Sequence, residues 1–447
     1  MKKFYILFIL YLFTTIPTLG EELNFNKFLS TALNNSYKLK ISQVEALISQ
    51  KGVKEAQAGY YPTLSAFATT ERYNDLTNGN SQITAVGNEI LLNRSYYQDM
   101  AAIGLSYNIF DFGVRRKQLD IAKADDKQKT LLLQKDSRDL KIDAADIYGD
   151  ALNLYKRSQI KSETLSLQNE LININKRLQK AGELSDVDLV DSEIEASETK
   201  TQLDEINNNL AKKLTEVSFY TNEEYDANNL ILQDFPDNPD VLEAENGLLK
   251  ASVEVLDFIP EDSFEAQAAD LEILKKKKEY EIQKKINYPK IRFDTRYNFY
   301  GSDPSNFFNG LGDVSQRSFT IRFSASMVLF DGFKNLNTIS KKKLEIEKAK
   351  IEKERQIAEL KKQYEQIQLD SQNAIVQAEN NATTLALVNK NLDNLRRLNA
   401  NGIAARSDCI KKQIELLKKK EDLEQNQIKY FVARYKMKVL NENNGKL

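Results

Sequence analysis

The chain has 447 residues, and its 63 Lys and Arg residues nearly balance its 65 Asp and Glu residues, so its composition gives no sign of nucleic-acid binding. The sequence has no His, no Trp and a single Cys, Cys409, which excludes His-based acid–base catalysis, thiolate zinc sites and intrachain disulfides. We therefore predict no enzyme activity, no catalytic residue, no metal site and no cofactor. Gly and Pro together form only about 5% of the chain, which favours unusually long helices.

Residues 1–20 have the three-part organisation of a secretory signal peptide. Two lysines precede an apolar run at 4–16, and Thr18 and Gly20 precede a predicted cleavage near Glu21. A transmembrane anchor is the alternative, but this run is too short to cross roughly 30 Å of hydrocarbon as a helix. We therefore predict that the chain is exported.

The remainder of the chain contains two halves with the same order of motifs. Each half has a Tyr-Pro pair, then a Phe-Asp-Gly element and then a lone glycine. Their positions are 61–62, 111 and 182 in the first half, and 288–289, 331 and 402 in the second. Because the last two motifs keep the same offset of 220 residues from one half to the other, we infer a duplication.

Apolar and polar residues alternate in two segments of each half, and this period of two predicts half-buried strands. The predicted strands lie at about 62–73, 101–110, 289–300 and 318–330. In the last strand, Phe319 and Phe323 alternate with Arg322, and we predict that the Phe319 row faces lipid and the Arg322 row faces a watery lumen. The polar segments 74–100 and 301–317 are predicted to be exposed loops.

A helical pattern follows the second strand of each half. Between Gly113 and Gly182 there is no proline, and the apolar residues show the three-four spacing of a coiled-coil seam. A helix of this length extends roughly 100 Å. Return helices are predicted at about 187–220 and 408–436, so two antiparallel helical hairpins have their tips at Gly182 and Gly402.

We accordingly divide the chain into a signal peptide, two structural repeats joined by an acidic segment, and a polar tail, at 1–20, 21–222, 223–262, 263–440 and 441–447. A lysine run at 275–278 is compatible with nucleic-acid binding, but acids flank it in a helical pattern. We interpret it as a solvated helix face.

Four strands of this length suit a membrane, but they are too few to close a barrel, and an open sheet edge in lipid leaves backbone groups unpaired. Three chains that contribute four strands each would close a twelve-stranded barrel. The helices favour the same arrangement, since a narrow coiled-coil seam buries little surface unless several helices pack side by side.

The ordered set of signal peptide, duplicated strand–strand–hairpin halves, Tyr-Pro, Phe-Asp-Gly and a Gly-x5-Asp motif at each tip resembles the TolC-like outer-membrane factors, or outer membrane efflux proteins. The resemblance covers residues 21–440. It implies a mixed α and β membrane protein in the outer membrane, a homotrimer whose 12-stranded β-barrel continues into an α-helical tunnel through the periplasm. It further implies an exit duct for efflux or type I secretion, with a periplasmic adaptor (membrane fusion) protein, an inner-membrane transporter and outer-membrane lipid as partners.

The resemblance also implies that the hairpin tips close the tunnel. The expected pore constriction consists of Asp188, Asp191, Asp408 and Lys411. Lys411 departs from the family pattern, in which an aspartate is expected, and we predict an ion pair between Asp408 and Lys411, one turn apart. The alternative for Asp188 and Asp408 is a helix-capping or first-turn role, which is compatible with a role in the pore constriction.

The expected contact surface for the adaptor lies at the two tips and comprises Gly182, Glu183, Leu184, Gly402, Ile403 and Ala404, for which an ordinary loop is the alternative. Cys409 has no His or Cys partner in the sequence, so we interpret it as a small packing residue.

A structural coiled-coil protein of the cell envelope, such as an adhesin, is the alternative function, but it leaves the four alternating segments unexplained. Drug, metal-ion and protein export are equally compatible with these motifs.

Overall fold

A computed structural model describes residues 21–72, 82–85, 88–91, 97–226, 230–235, 258–303, 306–312 and 316–442. The predicted signal peptide at 1–20, most of the acidic segment at 223–262, parts of both predicted loops and the end of the polar tail lie outside these residues. None of the described helices has the length and apolar character needed to span a membrane.

Each half of the chain contributes strands and long helices. The elements of the first half are β1 (Glu21–Leu23), α1 (Phe25–Asn35), α2 (Tyr37–Ala58), β2 (Thr63–Arg72), β3 (Gln82–Ala85), β4 (Asn88–Leu91), β5 (Tyr97–Phe110), α3 (Val114–Lys180), α4 (Asp186–Thr221) and β6 (Leu230–Leu232). After a 3-10 turn at Pro260–Asp262, the second half contains α5 (Phe264–Lys284), β7 (Lys290–Asp303), α6 (Phe307–Gly312), β8 (Gln316–Ser326), α7 (Lys334–Ala400) and α8 (Arg406–Glu442).

The two longest helices, α3 and α7, have 67 residues each, and the predicted long helices are thereby confirmed. Proline is absent from both, and glycine occurs in them only at Gly149, so few positions disfavour the helical backbone. The carboxylate of Asp111 accepts hydrogen bonds from the backbone N–H groups of Gly113 (3.0 Å) and Arg115 (3.1 Å), which are unpaired at the start of α3.

The Phe-Asp-Gly elements are tight turns between a strand and a long helix. Two consecutive residues with positive φ follow the aspartate in both turns, at Phe112 and Gly113 and at Gly332 and Phe333. Glycine adopts this conformation without the steric cost that a side chain imposes. The order of Phe and Gly is reversed between the halves, yet φ is positive at both positions of each turn.

The described residues form two compact units, and each draws on both halves of the sequence. The first unit contains the residues before Glu45, those of Leu131–Gln267 and those from Arg355 onward. The second contains Glu45–Thr130 and Ala268–Glu354. The units therefore do not coincide with the two sequence repeats, and the division into repeats stays a prediction.

The core of the first unit surrounds Tyr148, whose side chain is fully buried. The Tyr148 hydroxyl donates a hydrogen bond to the carbonyl oxygen of Leu23 over 2.9 Å, and burial raises the pKa of this phenol. Leu23 belongs to β1, which pairs in parallel with β6. This small sheet joins the start of the described chain to a segment more than 200 residues later.

A buried ion-pair network also stabilises the first unit. The guanidinium of Arg138 is only 4% exposed, and it donates hydrogen bonds to Asp139 (2.7 Å) and to Glu265 (3.0 Å). Burial disfavours the charged form of Asp139, but the charge of Arg138 and hydrogen bonds from Lys135 and Arg138 outweigh it, so the pKa of Asp139 is below its usual value.

The second unit contains a four-stranded antiparallel sheet in the order β2-β5-β7-β8, while β3 and β4 form a separate hairpin. The predicted strands are present with different ends. Strand β8 stops at Ser326 instead of continuing to 330, because Ser326 pairs with Lys290 and the preceding Pro289 has no N–H to donate. Strand β5 begins at Tyr97 instead of 101, and helix α6 and hairpin β3-β4 lie within segments predicted to be loops.

Candidate functional site

Both hairpin tips, in the first unit, use the same hydrogen-bonded helix ending. Gly182 has a φ of +79°, its N–H donates to the carbonyl of Gln179 (3.0 Å), and the N–H of Glu183 donates to the carbonyl of Leu178 (2.9 Å). At the second tip, where Gly402 has a φ of +72°, the equivalent bonds join Gly402 to Asn399 and Ile403 to Leu398, both 2.9 Å. This pair of bonds defines a Schellman cap, which favours glycine at the left-handed position. The prediction that each glycine ends a long helix is confirmed.

The two return helices begin differently. The Ser185 hydroxyl accepts a hydrogen bond from the Asp188 N–H (3.1 Å) and donates one to the Asp188 carboxylate (2.6 Å), so these residues cap α4. The first-turn role considered for Asp188 is therefore present. In α8, Ala405 occupies the position of Ser185, and the Asp408 N–H bonds only to the Ala405 carbonyl, over 3.2 Å. The Asp408 carboxylate therefore makes no capping hydrogen bond in the described chain, but it lies in the first turn of α8, so the first-turn role is present for Asp408 too.

All four residues predicted for the constriction are exposed in the single chain, and three carboxylates and one amine give them a net charge of −2. The predicted ion pair between Asp408 and Lys411 is wrong for the described chain, in which neither residue pairs with the other. Exposed pairs at this spacing gain only a few tenths of a kcal/mol over hydration. The neighbouring Lys412 instead pairs with Glu415.

One ion pair at the second tip was not apparent from the sequence. Nε and Nη2 of Arg406 lie 3.0 and 2.7 Å from Oε1 of Glu170, which links the start of α8 to α3 in the first hairpin. The two residues are 236 positions apart, so no local pattern indicates their contact. Both side chains are largely exposed, and a pair of this kind contributes at most about 1 kcal/mol.

The six residues predicted to contact an adaptor form the outer surface of the two caps. Gly182, Glu183 and Gly402 are exposed, while Leu184 and Ala404 are half-buried. Ile403 is 73% exposed, which is unusual for an aliphatic side chain of this size. Their role in adaptor binding stays a prediction. Cys409, beside Asp408, is half-buried, which is compatible with the packing role proposed for it.

The four-stranded sheet of the second unit has one apolar and one polar face. Register places Tyr297 beside Ile103 on one neighbouring strand and Phe319 on the other, and places Leu105 beside Leu64. This face is solvent-exposed in the single chain, with Leu64 at 71% and Phe323 at 69%. An apolar surface of this kind normally marks a membrane or protein contact.

The opposite face carries hydroxyl, amide and charged side chains. Ser106 donates a hydrogen bond to the Asp294 carboxylate (2.8 Å), and the Asn298 amide donates to Ser318 (3.0 Å). The guanidinium carbon of Arg296 lies 4.9 Å from the centre of the Phe67 ring. The two faces therefore differ as the lipid-facing and water-facing sides of a membrane strand do.

Among the described residues, no three Asp, Glu or Cys side chains are grouped closely enough to hold a metal ion. The two features described above are the hairpin tips in the first unit and the two-faced sheet in the second.

Two of three comparisons with known proteins find proteins similar to this chain. Residues 28–223 match the family model for outer membrane efflux proteins. No curated protein sequence gives a significant match.

Several solved structures share its fold. The channel protein CusC is similar with a TM-score of 0.73 and 14% identity, over 95% of this chain and 93% of CusC. The outer membrane protein VceC of Vibrio cholerae has a TM-score of 0.73 and 13% identity, over 93% and 96% of the two chains. The CmeC outer membrane channel of Campylobacter jejuni has a TM-score of 0.73 and 14% identity, over 94% and 86%.

At these identities the structural matches show a shared fold. Together with the family match they confirm the resemblance to the TolC-like outer-membrane factors. The predicted class of outer-membrane channel and its location are those of the matched family and of the similar structures.

Proposed function

We propose that three copies of this chain form an outer-membrane channel that serves as the exit duct of a tripartite efflux or type I secretion system. The observation that carries the proposal is the four-stranded sheet, which has one exposed apolar face, one polar face and two outer strands, β2 and β8, with no further strand beside them in the described chain. Such a sheet is unstable alone in lipid, because its edges leave backbone groups unpaired.

The direction of the strands suits closure by copies. Each of the three neighbouring pairs in the sheet is antiparallel, so β2 and β8 run in opposite directions. The β8 of one copy can therefore pair antiparallel with the β2 of the next, and three copies form a ring of twelve strands. In that ring the apolar face meets lipid and the polar face lines the lumen.

Unfilled apolar seams on the helices support the same assembly. On α2, exposed apolar side chains recur with the spacing of a coiled coil at Tyr37, Ile41, Val44 and Ile48. On α7, Leu344 and Ile351 are exposed and seven residues apart, as are Leu369 and Val376. We propose that these seams pack against neighbouring copies and build the helical tunnel.

At the closed end of that tunnel, three copies of Asp188, Asp191, Asp408 and Lys411 would form the constriction. The exposed caps, with Ile403 as an apolar anchor, would contact the periplasmic adaptor, and through it the inner-membrane transporter. Drugs, metal ions and proteins are all compatible as cargo of such a duct.

The test is a recording of ion selectivity across a planar lipid bilayer, with protein whose native mass corresponds to three chains. Asp408→Ser removes an acid from the ring and should shift the reversal potential toward anions, whereas Lys411→Ser should shift it toward cations. Asp204→Ser replaces an exposed aspartate of α4 away from the tip and should leave selectivity unchanged.

Wild-type selectivity in both tip variants would contradict the constriction, and so would loss of the trimer in both. A folded monomer that inserts no channel would instead favour the structural coiled-coil alternative.

A further inference from the structure

We infer that the polar face of the sheet forms a cationic belt that binds anionic solutes inside the barrel, a conclusion that rests on the proposed trimeric channel. The belt consists of Arg292, Arg296 and Arg322. Register places them in three consecutive rows of the polar face, level with Ser324, Thr320 and Asp294, respectively. They lie in the parts of β7 and β8 next to the helices that precede and follow these strands.

The positive charge of the belt is not neutralised within the chain. In the described residues no ion pair involves Arg292 or Arg296, and Arg322 lies level with Asp294 without forming a salt bridge to it. The acid in these rows is Asp294, which already accepts a hydrogen bond from Ser106 over 2.8 Å. Three arginines and one aspartate give a net charge of +2 per chain, and three chains would bring these charges around one lumen.

Arg296 shows how an anion would be held. The Phe67 ring supports the face of its guanidinium at 4.9 Å, and no group in the described residues accepts a hydrogen bond from it. A guanidinium that stacks on an aromatic ring keeps its in-plane N–H donors available, and these donors match the geometry of oxyanions. Arg292 is similarly available, since its described contact is a long hydrogen bond of 3.4 Å to Asn108.

These features define the chemical class of the ligand as solutes with carboxylate, phosphate or sulfate groups. A lumen with walls of low dielectric strengthens the field of the belt and raises the local concentration of such anions. The tips carry the opposite charge, −2 per chain from the four constriction residues.

The test uses inorganic tripolyphosphate as the probe, with channels in a planar bilayer. The probe is added on the side where β2 ends and β5 begins, which is the end of the sheet away from the long helices. We expect the probe to block the single-channel current of the wild type, with block that weakens as salt rises. In the variant Arg292→Gln/Arg296→Gln/Arg322→Gln, half-block should need a concentration about tenfold higher or more. If this triple variant does not assemble, each single variant should raise it roughly twofold to threefold.

The matched control is Arg317→Gln. Arg317 lies on β8, as Arg322 does, but it is level with Phe299 on the apolar face. Its replacement should therefore leave block by tripolyphosphate unchanged. If the belt variants form normal channels and tripolyphosphate blocks them as it blocks the wild type, the belt is refuted while the proposed function stands. The same holds if Arg317→Gln weakens block as much as the belt variants do. Absence of channels in the wild type would instead overturn the proposed function.

Discussion

Gly149 lies in the middle of α3, with α8 packed directly against it. A Cβ at this position would lie 2.5 Å from Cγ2 of Val432, which is too close for two carbon atoms. We predict that Gly149→Ala destabilises the protein by about 1–3 kcal/mol through overpacking, although alanine is the better helix former. The midpoint of denaturant-induced unfolding of the detergent-solubilised protein measures this loss.

Gly52 provides the matched control, because it is also a helical glycine but no atom lies within 4 Å of the added Cβ. Gly52→Ala should stabilise the protein by up to about 1 kcal/mol. Equal shifts of the unfolding midpoint in both variants would contradict the packing argument.

The buried Arg138 network predicts an acid-sensitive contribution to stability. The pKa of Asp139 is lower in the folded chain than its ordinary value of 3.8, so its contribution is fully present above that pH and is lost as the pH falls through the folded value. We predict that Asp139→Asn lowers stability at neutral pH and reduces the further loss below about pH 4. Melting temperatures measured between pH 3 and pH 7 test this expectation.

The exposed Asp204 supplies the comparison, and Asp204→Asn should lose as much stability at low pH as the wild type does. An identical pH profile for Asp139→Asn and the wild type would refute the role of the network.

At the tips, the two glycines could be identified from the sequence, because each is a lone glycine after a long helical pattern. The left-handed backbone conformation that ends such a helix favours glycine, and φ is positive at both positions. It did not identify the contact of Arg406 with Glu170, since two residues 236 positions apart share no local pattern. The expected pair of Asp408 and Lys411 failed because helical spacing permits an exposed ion pair without stabilising it strongly.

At the scale of single elements, β8 gives the clearest prediction. Its Phe323 lies opposite Phe293 on the apolar face, with ring centres 5.0 Å apart. In the proposed barrel, replacement of Phe323 by Arg would place a charge in lipid and should cost roughly 2–4 kcal/mol of stability near mid-membrane depth. Heat-modifiable migration of the trimer in gel electrophoresis, together with outer-membrane yield, measures assembly.

Ser324→Arg is the control, because the adjacent residue belongs to the polar face and an arginine there would extend into water. Because Ser324 lies level with Arg292, repulsion between the two positive charges should cost at most about 1 kcal/mol, and we expect this variant to assemble nearly as well as the wild type. If both substitutions are tolerated equally, the assignment of the Phe319 row to lipid is wrong.

The success of the sequence predictions depended on how long each pattern was. Helices α3 and α7 could be predicted because an unbroken run of 67 residues leaves few other conformations. The end of β8 could not, since alternation continues through Leu329 while pairing stops opposite Lys290. Strands β1 and β6 have three residues each, too few for any periodic pattern, and their pairing depends on a distant partner.

At the scale of the whole molecule, duplication in the sequence did not reveal how the chain is divided in space. The repeats follow one another along the chain, whereas each compact unit combines segments of both. Long helices explain the difference, because one helix of 67 residues passes from the second unit into the first. A sequence repeat therefore reports ancestry and local structure more directly than it reports compact units.

The aromatic core around Tyr148 has a consequence for biogenesis. Phe25 makes an edge contact with Tyr435, with ring centres 4.9 Å apart, although 410 positions separate the two residues. At ordinary rates of synthesis the ribosome needs roughly 20–80 s to add that many residues. If export proceeds along with synthesis, Phe25 emerges long before its partner does. During that interval Phe25 would lack the aromatic contact that the last helix, α8, supplies in the folded first unit.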